Sequence, residues 1–87
     1  RGADMATRAY ILIESAVGTA RAVYKGVQAV NLADARVLSA EAVTGPFDVI
    51  ALLESDDLDK MGRAVTEGIQ RLQGVQRTTT CLVIKLG

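Results

Sequence analysis

Two short runs, Tyr10-Ile11-Leu12-Ile13 and Val49-Ile50-Ala51-Leu52-Leu53, are apolar at every position. Each has the length of an ordinary strand and is too short for a typical helix. In a strand, successive side chains point to opposite faces, so both runs need cover above and below. They therefore belong in the middle of a sheet. This constraint is severe in a chain of 87 residues, since a domain of that size buries only roughly 60–65% of its unfolded surface.

The rest of the chain is ordered around these runs. The second run follows Gly45-Pro46, a turn signal in which proline fixes φ and offers no backbone donor. Residues 37–44 precede the turn and alternate more loosely, so residues 37–53 read as a hairpin. The first strand spans residues 8–14. After it, Gly18-Thr19 opens a helix with Thr19 as the expected N-cap, Ala20, Val23, Val27 and Val30 as its apolar stripe, and Asn31 as its left-handed end. Ser55-Asp56-Asp57 starts a second helix, with acidic residues at the positive end of the dipole. Its stripe is Leu58, Met61, Val65, Ile69 and Leu72, and Gly74 closes it. Residues 76–84 form a β-branched last strand.

The resulting order is βαββαβ, an α+β, ferredoxin-like arrangement: a four-stranded antiparallel sheet with two helices on one face. Helices on one side leave five or six large side chains on the other, at roughly 1.5–3 kcal/mol each for burial. A second copy related by a two-fold axis is the simplest cover, giving a dimeric α/β barrel. Residues 1–5, with Arg1-Gly2-Ala3-Asp4 ahead of Met5, read as a disordered or vector-derived leader, and residues 6–87 as one domain.

Composition narrows the function. Half of the chain is hydrophobic (49%) but only 3% is aromatic, which leaves few rings to stack on bases or cofactors. Ten basic residues balance ten acidic ones, which argues against a surface dedicated to nucleic acid or anionic membrane. Histidine is absent from the sequence, removing the commonest general base and metal ligand. The single Cys81 has no internal disulfide partner and reads as a buried, inert thiol in a reducing compartment. No run approaches a membrane span, so a cytoplasmic location is expected. Asp56, Asp57 and Asp59 lack the spacing of a calcium loop and read as a helix start. No catalytic residue, metal ligand or cofactor is expected.

The turn and the last strand carry a resemblance. Val43-Thr44-Gly45-Pro46-Phe47-Asp48, then Leu72-Gln73-Gly74-Val75, then Thr78-Thr79-Thr80 entering Leu82-Val83-Ile84 resemble the effector-binding module of the Lrp/AsnC regulators. The likeness covers about residues 6–86. Phe47 stands where many members carry tyrosine, so a hydroxyl is missing there. The helix-turn-helix domain of full-length members has no counterpart, and the chain is expected to be a stand-alone form of the module.

The resemblance implies non-catalytic binding of a small effector, typically an amino acid, by homodimers that often assemble further. It places the effector near Gly45, Phe47 and Asp48, with Thr79 a weaker addition. Full-length regulators of the family are the implied partners, and direct contact with nucleic acid or membrane is not expected. On residues alone, Gly45 and Pro46 serve the turn, Asp48 bonds turn amides, and the threonines serve β-propensity. A different class remains open on the same architecture, a small cofactor-free oxygenase or isomerase. That reading needs Arg8, Tyr10 and Glu14 to converge in one pocket.

Overall fold

The computed structural model describes residues 6–87, so the expected leader at residues 1–5 lies outside the described residues. The elements follow in the expected order: β1 (Thr7–Ser15), α1 (Ala20–Ala29), β2 (Ala35–Ala42), β3 (Val49–Ser55), α2 (Leu58–Glu67), a 3-10 turn (Ile69–Arg71) and β4 (Val75–Leu82). They build one antiparallel sheet in the order β2-β3-β1-β4. The two doubly apolar strands are thus its central pair. β1 and β3 run in unbroken register from Thr7 opposite Ser55 to Ile13 opposite Val49.

Alternation divides the sheet into two faces. Ala9, Ile11 and Ile13 of β1, with Val49, Ala51 and Leu53 of β3, are fully buried beneath the helices. Val23 and Val27 of α1 and Met61, Val65 and Ile69 of the second helical segment complete that core. The opposite face presents Arg8, Tyr10, Leu12 and Glu14 from β1, and Ile50, Leu52 and Glu54 from β3. Neither helix covers it.

Several local expectations require correction. Thr19 flanks α1, yet its side chain makes no capping bond; the hydroxyl donates to the Ala16 carbonyl at 2.7 Å. The helix stops at Ala29 and Val30 is already extended, so Asn31 is not its left-handed end; all positive-φ residues described are glycines. At α2, Asp57 is the cap, and its Oδ1 accepts from the Lys60 amide at 2.8 Å. Leu58, expected in the apolar stripe, is 58% exposed at the first helical position.

The largest difference is where α2 ends. A regular helix through Leu72 is replaced by an end at Glu67 and a 3-10 turn. Gly68 stands at the break, where its N–H still donates to the Ala64 carbonyl, and the packing there leaves no room for a side chain: a Cβ would come within 2.2 Å of Leu32 Cδ2 and 2.6 Å of the Ala64 carbonyl oxygen. The tighter turn keeps Ile69 in the core and swings Leu72 against Gly26 of α1. Cys81 also departs from expectation. It is exposed, because β4 is an edge strand and places it on the uncovered face opposite Tyr10.

Two glycines make opposite predictions. Gly74 has φ +97°, and a Cβ would meet Thr19 Oγ1 at 2.8 Å and Val23 Cγ2 at 2.9 Å. Gly74→Ala is expected to lower stability by about 1–3 kcal/mol through strain and overpacking. Gly62 lies on an exposed face of α2 with no atom within 4 Å of its would-be Cβ. Gly62→Ala is expected to raise stability by about 0.5–1 kcal/mol. Urea unfolding followed by circular dichroism reads both.

Candidate functional site

The loop from β2 to β3 is held at three points. Val43 N–H donates to the Asp48 carbonyl at 2.9 Å, and Asp48 N–H donates to the Ile13 carbonyl at 2.8 Å. β1 runs two residues past its last pairing with β3, so the Ser15 amide meets no β3 backbone. The Asp48 carboxylate takes that amide instead, Oδ2 accepting at 2.8 Å. Its other oxygen, Oδ1, accepts no hydrogen bond from a described residue. Gly45, at φ +120°, makes the reversal that returns the chain to the sheet. Phe47 and Asp48 are half-buried, while Gly45 and Pro46 are exposed.

Gly45, Phe47 and Asp48 are therefore neighbours in one fixed loop. Thr79 is not beside them. It lies on the edge strand β4, opposite Leu12 and on the uncovered face. β4 is two strands away from β3, about 10 Å at the usual spacing. A single chain does not gather the four residues into one pocket.

Arg8, Tyr10 and Glu14 share a face of β1 but do not converge. Arg8 and Glu14 are six residues apart along a strand, roughly 20 Å. Arg8 is instead committed to Glu54, its Nε donating to Oε2 at 2.9 Å. Arg36 Nη2 pairs with the other oxygen, Oε1. The Glu54 side chain is only 9% exposed between them. Sequence reasoning misses this carboxylate, which reads there as the polar end of an apolar strand. The usable signal is two arginines, at positions 8 and 36, on the strands that flank it.

A cleft of about 580 Å³ opens beside that cluster, lined by Leu32, Asp34, Arg36, Glu54, Asp56 and Lys60 among others. It sits at the end of β3 opposite the Gly45 loop, and none of Gly45, Phe47, Asp48 and Thr79 lines it. Its other charges are paired: Lys60 with Asp56 at 3.0 Å within the cleft, and Asp34 with Arg63, outside its lining, at 3.4 Å. The Asp56 carboxylate, through that hydrogen bond, holds the exposed Lys60 ammonium above its usual range. Among the described residues no three His, Cys, Asp or Glu side chains are grouped to hold a metal ion. No described helix is long and apolar enough to cross a membrane.

The model of the Lrp/AsnC ligand binding domain matches residues 8–86. The chain belongs to this family. Among solved structures, this Lrp/AsnC domain is similar to TTHA0845 from Thermus thermophilus, at 30% identity over 93% of this chain and 96% of that one, with a TM-score of 0.79. It is similar also to FFRP-DM1, at 31% identity over 90% and 99% of the two chains, with a TM-score of 0.78. The transcriptional regulator NMB0573 from Neisseria meningitidis, solved as an L-Met complex, shares the fold at 22% identity and a TM-score of 0.77. The match covers 95% of this domain and 53% of the regulator, so the domain spans about half that protein's length. No protein of curated function is a significant match.

The Asp48 bond predicts a split between two substitutions. Asp48→Ala leaves the Ser15 amide without its acceptor and is expected to lower stability by about 1–3 kcal/mol. Asp48→Asn keeps an oxygen for that amide and is expected to keep most of the stability. Equal losses in urea unfolding would show that the carboxylate charge, rather than the hydrogen bond, stabilises the loop.

Proposed function

We propose that this Lrp/AsnC domain binds a small effector of the amino acid class, without transforming it, beside Gly45, Phe47 and Asp48 and between subunits. The observation that carries the reading is the Asp48 carboxylate: one oxygen is used by Ser15 and the other is left for a ligand. In this reading Oδ1 accepts from the effector's ammonium group in a charge-assisted bond, and Gly45 lets the backbone approach closely. Phe47 supplies an apolar wall. The effector's carboxylate takes amide or hydroxyl donors, and Thr79 is the candidate named by sequence. Because β4 is distant from the loop in one chain, Thr79 joins the site only from another subunit. The L-Met in the NMB0573 complex is a ligand of the proposed class on the same fold.

Assembly is part of the proposal. Tyr10, Leu12, Ile50 and Leu52 give the uncovered face an apolar centre, which a second copy related by a two-fold axis would bury. Further association between dimers, or co-assembly with full-length Lrp/AsnC regulators, would then connect effector binding to transcription. The domain itself is proposed not to bind DNA specifically, since its net charge of zero provides no excess of cations for phosphates. No described geometry favours the enzyme reading, whose three residues on β1 stand apart.

Calorimetry with the standard amino acids tests the ligand. An affinity on the order of micromolar to millimolar is expected for so few heavy atoms. Asp48→Asn should weaken it by about ten- to a hundredfold, the worth of a charge-assisted bond of roughly 1.5–3 kcal/mol. Wild-type binding that this substitution leaves unchanged would put the site elsewhere. Light scattering tests the assembly, with a dimer expected at micromolar concentration in place of the 9.2 kDa monomer.

A further inference from the structure

The cluster around Glu54 has no part in the effector site, and its placement points elsewhere. Arg36, Glu54 and Arg8 stand in a single register row across β2, β3 and β1. All three lie on the face that no helix covers. A carboxylate buried this deeply is unfavourable unless paired and hydrogen-bonded, and here each oxygen takes one guanidinium. The arginines themselves remain 53% and 73% exposed. Each has five N–H donors, and most are left unused by Glu54. One anion therefore serves two cations, and the row carries one positive charge in excess.

The rest of the face offsets that excess. Register places Arg8, Arg36 and Arg77 on it against Glu14, Glu41 and Glu54, three of each sign. Glu14 stands opposite Arg77, which leaves Glu41 as the counterpart of the extra arginine. A surface that meets its own copy doubles whatever net charge it carries, so neutrality is what isologous pairing needs. This face meets that condition, and Tyr10, Leu12, Ile50 and Leu52 lie between its charged ends.

We propose that Glu54 is the residue that permits the uncovered face to meet a second copy of this chain. Its carboxylate holds two arginines in fixed positions on a surface that loses its water when the copies meet. Without that charge, two unpaired guanidiniums would enter the interface side by side, which is strongly unfavourable. The inference rests on the dimer proposed above and adds a determinant for it, distinct from the loop that carries the effector.

Sedimentation equilibrium on the full chain tests it, beside circular dichroism to report folding. Glu54→Gln should keep the native spectrum and raise the dimer dissociation constant at least about tenfold, with added salt recovering part of the loss by screening the arginines. The triple substitution R8M/E54M/R36M, which removes the charges together, should dimerise as well as wild type or better. If Glu54→Gln fails to fold, the triple variant decides: a folded dimer supports the inference and a folded monomer overturns it. A Glu54→Gln dimer of wild-type affinity overturns this inference alone. A wild-type chain that stays monomeric overturns the proposed assembly as well.

Discussion

The pairing of β1 with β3 sets the terms for everything else in this domain. Both strands are apolar on both sides, and their ladder runs unbroken from Thr7 to Ile13, opposite Ser55 back to Val49. Two helices of ten residues each satisfy only one side of that pair. The edge strands are accordingly mixed in character: β2 and β4 place alanines, threonines and charges where the centre places isoleucine and leucine. One half of the central apolar surface forms the core, and no helix covers the other half. The fold of the single chain and its proposed assembly thus stem from the same two segments.

Strand order and helix faces are readable because they rest on periodicity, and periodicity survives without tertiary knowledge. Val23, Val27, Met61, Val65 and Ile69 all enter the core as their spacing requires. The failures have other causes. Position 68, where α2 ends, admits only glycine because the Leu32 side chain and the Ala64 carbonyl occupy the space a Cβ would need, and the Leu32 contact spans 36 positions that no local pattern records. Thr19 resembles a cap by type, yet the nearby Ala16 carbonyl takes its hydroxyl. Cys81 belongs to the interior by residue type alone, whereas its strand lies at the sheet edge.

The candidate site is legible to a different degree. Gly45 and Asp48 are marked by the turn they serve, and the structure gives that turn a physical content: Asp48 joins β1 to β3 through Ser15. Thr79 is drawn in by resemblance alone and stands two strands from the loop. Glu54 escapes notice because its importance depends on cross-strand neighbours 46 and 18 residues earlier in the chain. A single sequence shows its type; only the register of three strands shows its company.

The loop held by Asp48 bears on how weakly the proposed effector could bind and still be sensed. Its reversal is set by Gly45 and Pro46, one hydrogen bond closes it on itself, and two fasten it to β1. The entropy of ordering these residues is therefore lost during folding, not at the moment of encounter. A small molecule that settles against such a preorganised edge forfeits mainly its own freedom. On the proposed reading, contacts too few to arrest a mobile loop would be enough to register, and release would remain fast. A rigid loop of this kind suits a reader of metabolite pools that must follow their rise and fall.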